Sequence, residues 1–141
     1  MAYITDGRIV KNFSLAEMTN KQAKDNIKLV LTPEVVEHAQ MMQELRDYYG
    51  PLTVSSWYRT PSFNRRPEVR GASNSAHLDG RATDITNITA SRFEEMAHVW
   101  RSICINHGKV GGVEFYDRGV HFDSHSDKFG FKTFRVVDNR R

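Results

Sequence analysis

The stretch "SAHLDGRATD", residues 75–84, places a histidine and an aspartate seven positions apart in a short polar segment. The imidazole of His77 and the carboxylate of Asp84 are both groups that bind divalent metal ions. Gly80 and Ala82 lie between them, and their small size lets the backbone pass close to a bound ion. The stretch therefore predicts part of a polar site whose remaining group must come from another segment.

The closing run "GGVEFYDRGVHFDSH", residues 111–125, contains two short alternating segments around the Asp-Arg-Gly triplet at 117–119. This pattern predicts a β-hairpin. Alternate side chains of a strand point to opposite faces, so His121 and Asp123 should share one face while their apolar neighbours face the core. The hairpin therefore presents an imidazole and a carboxylate to any cleft in front of the sheet.

Three candidate metal ligands follow, namely His77, Asp84 and His121. Two imidazoles and one carboxylate are a normal ligand set for a catalytic zinc ion, with a fourth position left for water. The chain has six histidines and seventeen acidic residues, so such a triple is also easy to find by chance. The alternative interpretation is a loop histidine together with an aspartate that caps a turn.

Two amphipathic helices are predicted from their start and stop signals. The first begins after Thr32, which can cap the opening turn, and ends at Gly50. The second opens with Ser91 and Glu94 at capping-box spacing and ends at Gly108. Both carry apolar residues at helical spacing, which indicates that each helix buries one face.

The remaining segments are predicted as strands and loops. Strands are expected at 52–58, 81–86 and 131–137 in addition to the hairpin, and the polar segment 20–28 is expected to form a loop. Helices and a mainly antiparallel sheet in separate runs indicate an α+β fold. At 141 residues, the chain is expected to form one domain over residues 1–141.

Composition excludes several classes of protein. The net charge of +3 suits an anionic partner such as nucleic acid or a bacterial cell wall, without choosing between them. Because no Lys/Arg stripe has interleaved aromatic residues, we expect no nucleic-acid partner. The single cysteine, Cys104, excludes an internal disulfide framework and is predicted to be a buried thiol. No apolar run has the length of a signal peptide or a membrane span, so we expect synthesis in the cytoplasm and no membrane insertion. We also expect a monomer.

Residues 75–84 match every fixed position of a known signature, and other segments support the match. The stretch resembles the Ser-x-His-x-x-Gly-x-Ala-x-Asp signature of the D-Ala-D-Ala carboxypeptidase and endolysin zinc metallopeptidases. Upstream, "LTVSSWYRTPSFN" is similar to the Tyr-Arg-Ser/Thr-Pro segment of that family, and "NFSLAEMT" is similar to its amino-terminal segment. Downstream, "GGVEFYDRGVHFD" resembles the closing hairpin of the family, so the resemblance covers nearly the whole chain in order.

The resemblance implies a fold, a cofactor and a reaction. The fold would be the one shared with the Hedgehog signalling domain, and one Zn²⁺ would be bound by His77, Asp84 and His121. Arg59 would act in catalysis and bind substrate, because its planar fork can hold a carboxylate or an oxyanion, and Ser75 would support substrate binding. The implied reaction is hydrolysis of peptide bonds in peptidoglycan stem peptides. A phage-type endolysin or a remodelling enzyme would reach the cell wall after release, in a phage or prophage context.

The proton carrier departs from the pattern of the family, in which an acidic residue often lies three positions before the last histidine. Arg118 occupies that position here, and Asp123 is predicted to serve as the catalytic base instead. Two alternatives remain: Asp123 orients His121, or Glu114 is the base. A two-residue turn at Arg118-Gly119 would set Glu114 directly across from Asp123, whereas a three-residue turn would send Glu114 to the other face. The displaced acid also supports a second hypothesis, an inert descendant that binds zinc or cell wall without cutting. Trp57, where relatives carry glycine, is predicted to narrow the cleft.

Overall fold

The amino-terminal segment folds as a small hairpin followed by one helical turn. The computed structural model describes residues 8–19, 31–67, 69, 71 and 74–141. Strands β1 (Arg8–Val10) and β2 (Phe13–Ser14) pair antiparallel, and α1 (Leu15–Met18) follows directly. Ser14 and Glu17 form a reciprocal capping box at its start. The predicted loop at 20–28 lies outside the described residues.

The structure confirms the first long helix and both of its predicted ends. Helix α2 spans Pro33–Tyr49, and the Thr32 hydroxyl accepts a hydrogen bond from the Val35 amide. Gly50 ends the helix with φ at +84°, a conformation that favours glycine. The amino end is therefore set by a side-chain cap and the carboxyl end by backbone freedom.

The start of the second long helix corrects the sequence prediction. Helix α4 spans Phe93–Asn106 and is preceded by a 3₁₀ turn at Ala90–Arg92. The predicted capping box of Ser91 and Glu94 is wrong, because Ser91 lies inside this turn and the turn and helix begin without a side-chain cap. Burial of Phe93 and of the apolar face of α4, rather than capping, therefore holds the start of α4 in place.

A five-stranded sheet carries the second half of the chain and confirms the α+β class. Its strand order is β3-β4-β6-β5-β7, with every pair antiparallel except β5 and β7. A short helix, α3, precedes β4 in the chain, and 3₁₀ turns precede β4 and β7. The bounds are β3 Thr53–Ser56, α3 Pro61–Asn64, β4 Ala82–Thr86, β5 Gly112–Tyr116, β6 Gly119–Asp123 and β7 Arg135–Asp138.

The hairpin of β5 and β6 turns one residue earlier than the spacing suggests. Its two-residue turn is Asp117 and Arg118, so Glu114 pairs with His121 instead of with Asp123. Gly119 is required inside the strand, since a Cβ there would collide with the carbonyl oxygen of Ile85 on the neighbouring β4. Close packing of β6 against β4 therefore fixes this register.

One face of the sheet packs against α2 and α4, and the other face carries polar groups. The helix side holds a continuous apolar core that includes both tryptophans and the buried Cys104. Trp57 lies in this core, where its ring contacts Phe13 and His38 edge to face. It does not narrow the cleft, so that prediction is wrong. None of the helices in the described part of the chain is long and apolar enough to span a bilayer.

Candidate metal centre

The polar face of the sheet brings an acidic residue, a histidine and a second acidic residue into one row. Glu114 on β5 is the register partner of His121 on β6, and His121 is the partner of Asp84 on β4. Register partners in adjacent strands point to the same face, so all three side chains meet in front of the sheet. Antiparallel pairing therefore unites residues that are up to 37 positions apart in the chain.

The turn before β4 supplies the second histidine. His77 lies in a 3₁₀ turn at Ala76–Asp79, and the Ser75 hydroxyl accepts a hydrogen bond from the His77 amide. Gly80 closes the turn with φ at +69°, and the His77 carbonyl accepts a hydrogen bond from the Arg59 amide at 3.0 Å. These bonds hold the His77 ring against the row of sheet residues.

The three predicted ligands come together. Asp84 Oδ1 lies 3.2 Å from His77 Nε2 and 2.9 Å from His121 Nδ1, and the three ligand atoms lie within 4.8 Å of one another. Burial would raise the pKa of the Asp84 carboxyl, but the two imidazoles beside it hold that pKa below its ordinary value. Two imidazole nitrogens and one ionised carboxylate oxygen that converge in this way fit a zinc ion.

The other nitrogen of each imidazole has an acceptor that fixes the ring. His77 Nδ1 donates to the Trp57 carbonyl at 2.6 Å, which leaves Nε2 as the free ligand atom. His121 Nε2 lies 3.2 Å from Asp123 Oδ2, which leaves Nδ1 turned to Asp84. Such partners orient metal-binding histidines and set their tautomers. Trp57 thus serves the site through its backbone and the core through its side chain.

A proton competes for the His121 ligand atom. Burial would lower the pKa of His121, but hydrogen bonds to Asp123 and Asp84 raise it to about 10. Histidine must be deprotonated at the nitrogen that binds a metal, so metal binding at this centre is expected to release a proton.

Arg59 lies beside the centre and contacts the ligand carboxylate. Its Nη2 donates to Asp84 Oδ2 at 3.2 Å, and its Nε donates to Ser56 Oγ at 3.1 Å. The guanidinium therefore holds the outer oxygen of Asp84 and leaves the inner one for a metal. Arg59 and Ser75 both line the cleft in front of the centre, and their roles toward a substrate stay predictions.

Asp123 and Glu114, the two candidate bases, have different surroundings. Asp123 is 0% exposed and accepts hydrogen bonds from Ser126 Oγ and Arg135 Nη2, each at 2.6 Å. The Glu114 side chain is 20% exposed and lines the cleft, with Oε2 3.8 Å from His121 Nε2. The base assignment of Asp123 stays a prediction, but its contacts favour the orienting role, whereas Glu114 can meet a substrate.

The cleft over the centre has a volume of about 730 Å³. The hairpin forms one wall, and Val69, Gly71 and residues 74–77 form another. Tyr116, Phe129 and Arg135 also line the cleft, although the sequence motifs did not point to them. No local signal singled out Arg135, because the predicted strand "FKTFRVV" also contains Lys132.

A family model described as Peptidase M15 matches residues 11–123, which include His77, Asp84 and His121. This match supports zinc-dependent peptidase activity, because peptidases of this family are zinc-dependent. No curated protein matches the sequence significantly.

Proposed function

The chain belongs to the peptidase M15 family, and on this basis we propose that it hydrolyses peptide bonds in peptidoglycan stem peptides. The observation that carries the proposal is the convergence of His77, Asp84 and His121 at an open cleft. Arg59 and Arg118, which line this cleft, suit the carboxylates of stem peptides. We propose further that the protein acts as a monomer, as a phage-type lysin or a remodelling enzyme that reaches the wall after release.

In the proposed hydrolysis, the side chains at the cleft have different roles. A bound zinc ion would supply Lewis-acid chemistry and lower the pKa of a water molecule from about 15.7 towards about 7. Arg59 offers N–H groups at the cleft that can stabilise negative charge on the carbonyl oxygen of the scissile bond. During the reaction, the water oxygen bonds to the carbonyl carbon, the C–N bond breaks, and the amine leaves with a proton.

We propose Glu114 as the group that accepts the water proton and passes it to the leaving amine, with Asp123 orienting His121. Removing a general base typically costs about 100- to 10,000-fold in rate, so Glu114→Gln should keep its zinc and lose turnover by that factor. Asp123→Asn should weaken zinc binding, because the loss of an orienting partner costs about 10- to 100-fold in metal affinity. Zinc titration and steady-state kinetics on both variants provide the measurement. Full activity in Glu114→Gln, with an inactive Asp123→Asn that still binds zinc, would return the base assignment to Asp123.

Digestion of purified peptidoglycan tests the reaction itself. We expect new amino or carboxyl termini by mass spectrometry, and we expect a chelator to abolish them and added zinc to restore them. His77→Ala should lose the bound zinc and the activity, whereas His98→Ala, which changes an exposed histidine on α4, should keep both. Release of reducing sugars without new peptide termini would contradict the proposal.

A second candidate is an inert descendant that binds zinc or the wall without cutting. The observation that favours it is Arg118, which occupies the position where many relatives carry an acid. Sedimentation with purified walls, combined with an unchanged peptide profile in the presence of zinc, would identify this function.

A further inference from the structure

Arg135 joins the two acidic residues that approach His121. Its Nη2 donates to Asp123 Oδ2 at 2.6 Å, and its Nη1 lies 3.3 Å from Glu114 Oε1. It belongs to β7, beyond the range that the family model matches, which ends at residue 123. The last strand of the sheet thus contributes a cation to a centre whose candidate ligands all precede it in the chain.

Neighbouring residues hold the guanidinium of Arg135 in position. The Arg135 side chain is only 11% exposed, and its Cζ lies 5.3 Å and 5.4 Å from the ring centroids of Phe129 and Phe131. Gly112 leaves room for it, because a Cβ there would lie 2.7 Å from Ser126 Oγ and 3.1 Å from Arg135 Cβ. Aromatic packing and a missing side chain therefore hold the arginine in one place.

We propose that Arg135 is a positioning residue for the metal centre and its reaction. Acting through Asp123, it holds the His121 ring with Nδ1 turned to Asp84. Acting through Glu114, it holds Oε1, while Oε2 lies 3.8 Å from His121 Nε2. The part that concerns the reaction rests on the proposed function, whereas the part that concerns His121 needs only a metal.

The chemistry of this contact requires arginine rather than any cation. A planar guanidinium can bond two carboxylates with two separate N–H groups, whereas a lysine ammonium is a single point charge on a flexible stem. Asp123 is fully buried, and the loss of a buried partner leaves a carboxylate with incomplete compensation. Without the fork, Glu114 would also be free to rotate toward solvent.

The test uses four variants of the full chain. Arg135→Met removes both the planar guanidinium and its positive charge, whereas Arg135→Lys removes the guanidinium and keeps a positive charge. Arg140→Met and Arg140→Lys are matched controls, because Arg140 also pairs with an aspartate and packs over two phenylalanine rings, Phe93 and Phe115, away from the centre. For each variant, we would measure the thermal midpoint, the zinc dissociation constant by chelator competition, and kcat and KM on a stem peptide.

We expect Arg135→Met to bind zinc about 10- to 100-fold more weakly and to lose kcat by a similar factor at saturating zinc. KM should change by less than about threefold, since the substrate contacts stay in place. Arg135→Lys should recover part of each loss, and both Arg140 variants should match the wild type. If Arg135→Met fails to fold, the comparison of Arg135→Lys with Arg140→Lys decides by the same measurements.

A folded Arg135 variant with wild-type zinc affinity and wild-type kcat would overturn the inference. A wild-type protein that binds zinc without cleaving stem peptides would instead contradict the proposed function. In that case the zinc dissociation constants alone decide whether Arg135 positions His121.

Discussion

His38 is a histidine that is neutral in the folded protein. It is fully buried on α2, and its two ring nitrogens lie 2.7 Å from Ser124 Oγ and 3.0 Å from Thr83 Oγ1. Burial lowers its pKa to about 3. The two hydroxyls can form hydrogen bonds with both nitrogens of a neutral imidazole. His38 therefore links α2 to the core side of the sheet.

The free energy of unfolding should therefore fall as the pH drops from about 6.5 towards 3. In this window the unfolded chain takes up a proton at His38 while the folded chain does not, so protonation favours unfolding. Urea unfolding at several pH values should show a shallower acid slope for His38→Gln than for wild type. His98→Gln, at an exposed site, serves as the control for the substitution itself, and an unchanged slope in His38→Gln would contradict the prediction.

The candidate ligands could be named from the sequence because their signals are local. His77 and Asp84 lie in one short signature, and strand alternation alone turns His121 and Asp123 to the same face. Arg135 could not be predicted, since its partners lie 12 and 21 positions away and only the pairing of β7 with β5 brings them together. Contacts that depend on the order of strands in a sheet cannot be predicted from the residues that are adjacent in the chain.

At the scale of elements, the two long helices begin by different means. Thr32→Ala should destabilise the protein by about 1 kcal/mol, because it removes a cap that accepts a hydrogen bond from the Val35 amide. Ser91→Ala should change the stability by less than about 0.5 kcal/mol, because Ser91 is exposed and does not cap α4. Urea unfolding of both variants tests the pair. Equal losses would mean that Ser91 caps the helix after all.

The hairpin shows why register is harder to predict than the presence of strands. The Asp-Arg-Gly triplet correctly indicated a turn, but it fitted both a two-residue turn at Arg118-Gly119 and a three-residue turn, whereas the observed turn is Asp117-Arg118. The choice depends on the carbonyl of Ile85 on another strand, which leaves no room for a side chain at Gly119. That carbonyl thus also decides that Glu114, and not a neighbour, lies opposite His121.

At the scale of the molecule, a cluster of charges connects the two long helices. His107, just past the end of α4, lies 3.0 Å from Glu37 Oε2 and 2.5 Å from Glu44 Oε2, both on α2. Burial would lower the pKa of His107, but hydrogen bonds to the two glutamates raise it above its ordinary value. The protonated form therefore holds the two helices together.

The contribution of His107 to stability should be fully present below about pH 6.5 and should be lost as the pH rises through its raised folded pKa, because the folded chain binds the extra proton. The site is partly exposed, so the loss in His107→Gln should be below about 1 kcal/mol at pH 6 and smaller at pH 9. Denaturant unfolding at both pH values measures the difference. A larger loss at pH 9 would contradict the assigned charge state.

The place of Arg135 in the last strand also sets an order of events during synthesis. A ribosome completes His77, Asp84 and His121 before it adds the arginine that holds their neighbours, because chains grow from the amino end. A nascent chain that ends between residues 123 and 134 therefore contains every candidate ligand but lacks this clamp. Under the proposed role of Arg135, the centre reaches its full order only after translation has passed residue 135.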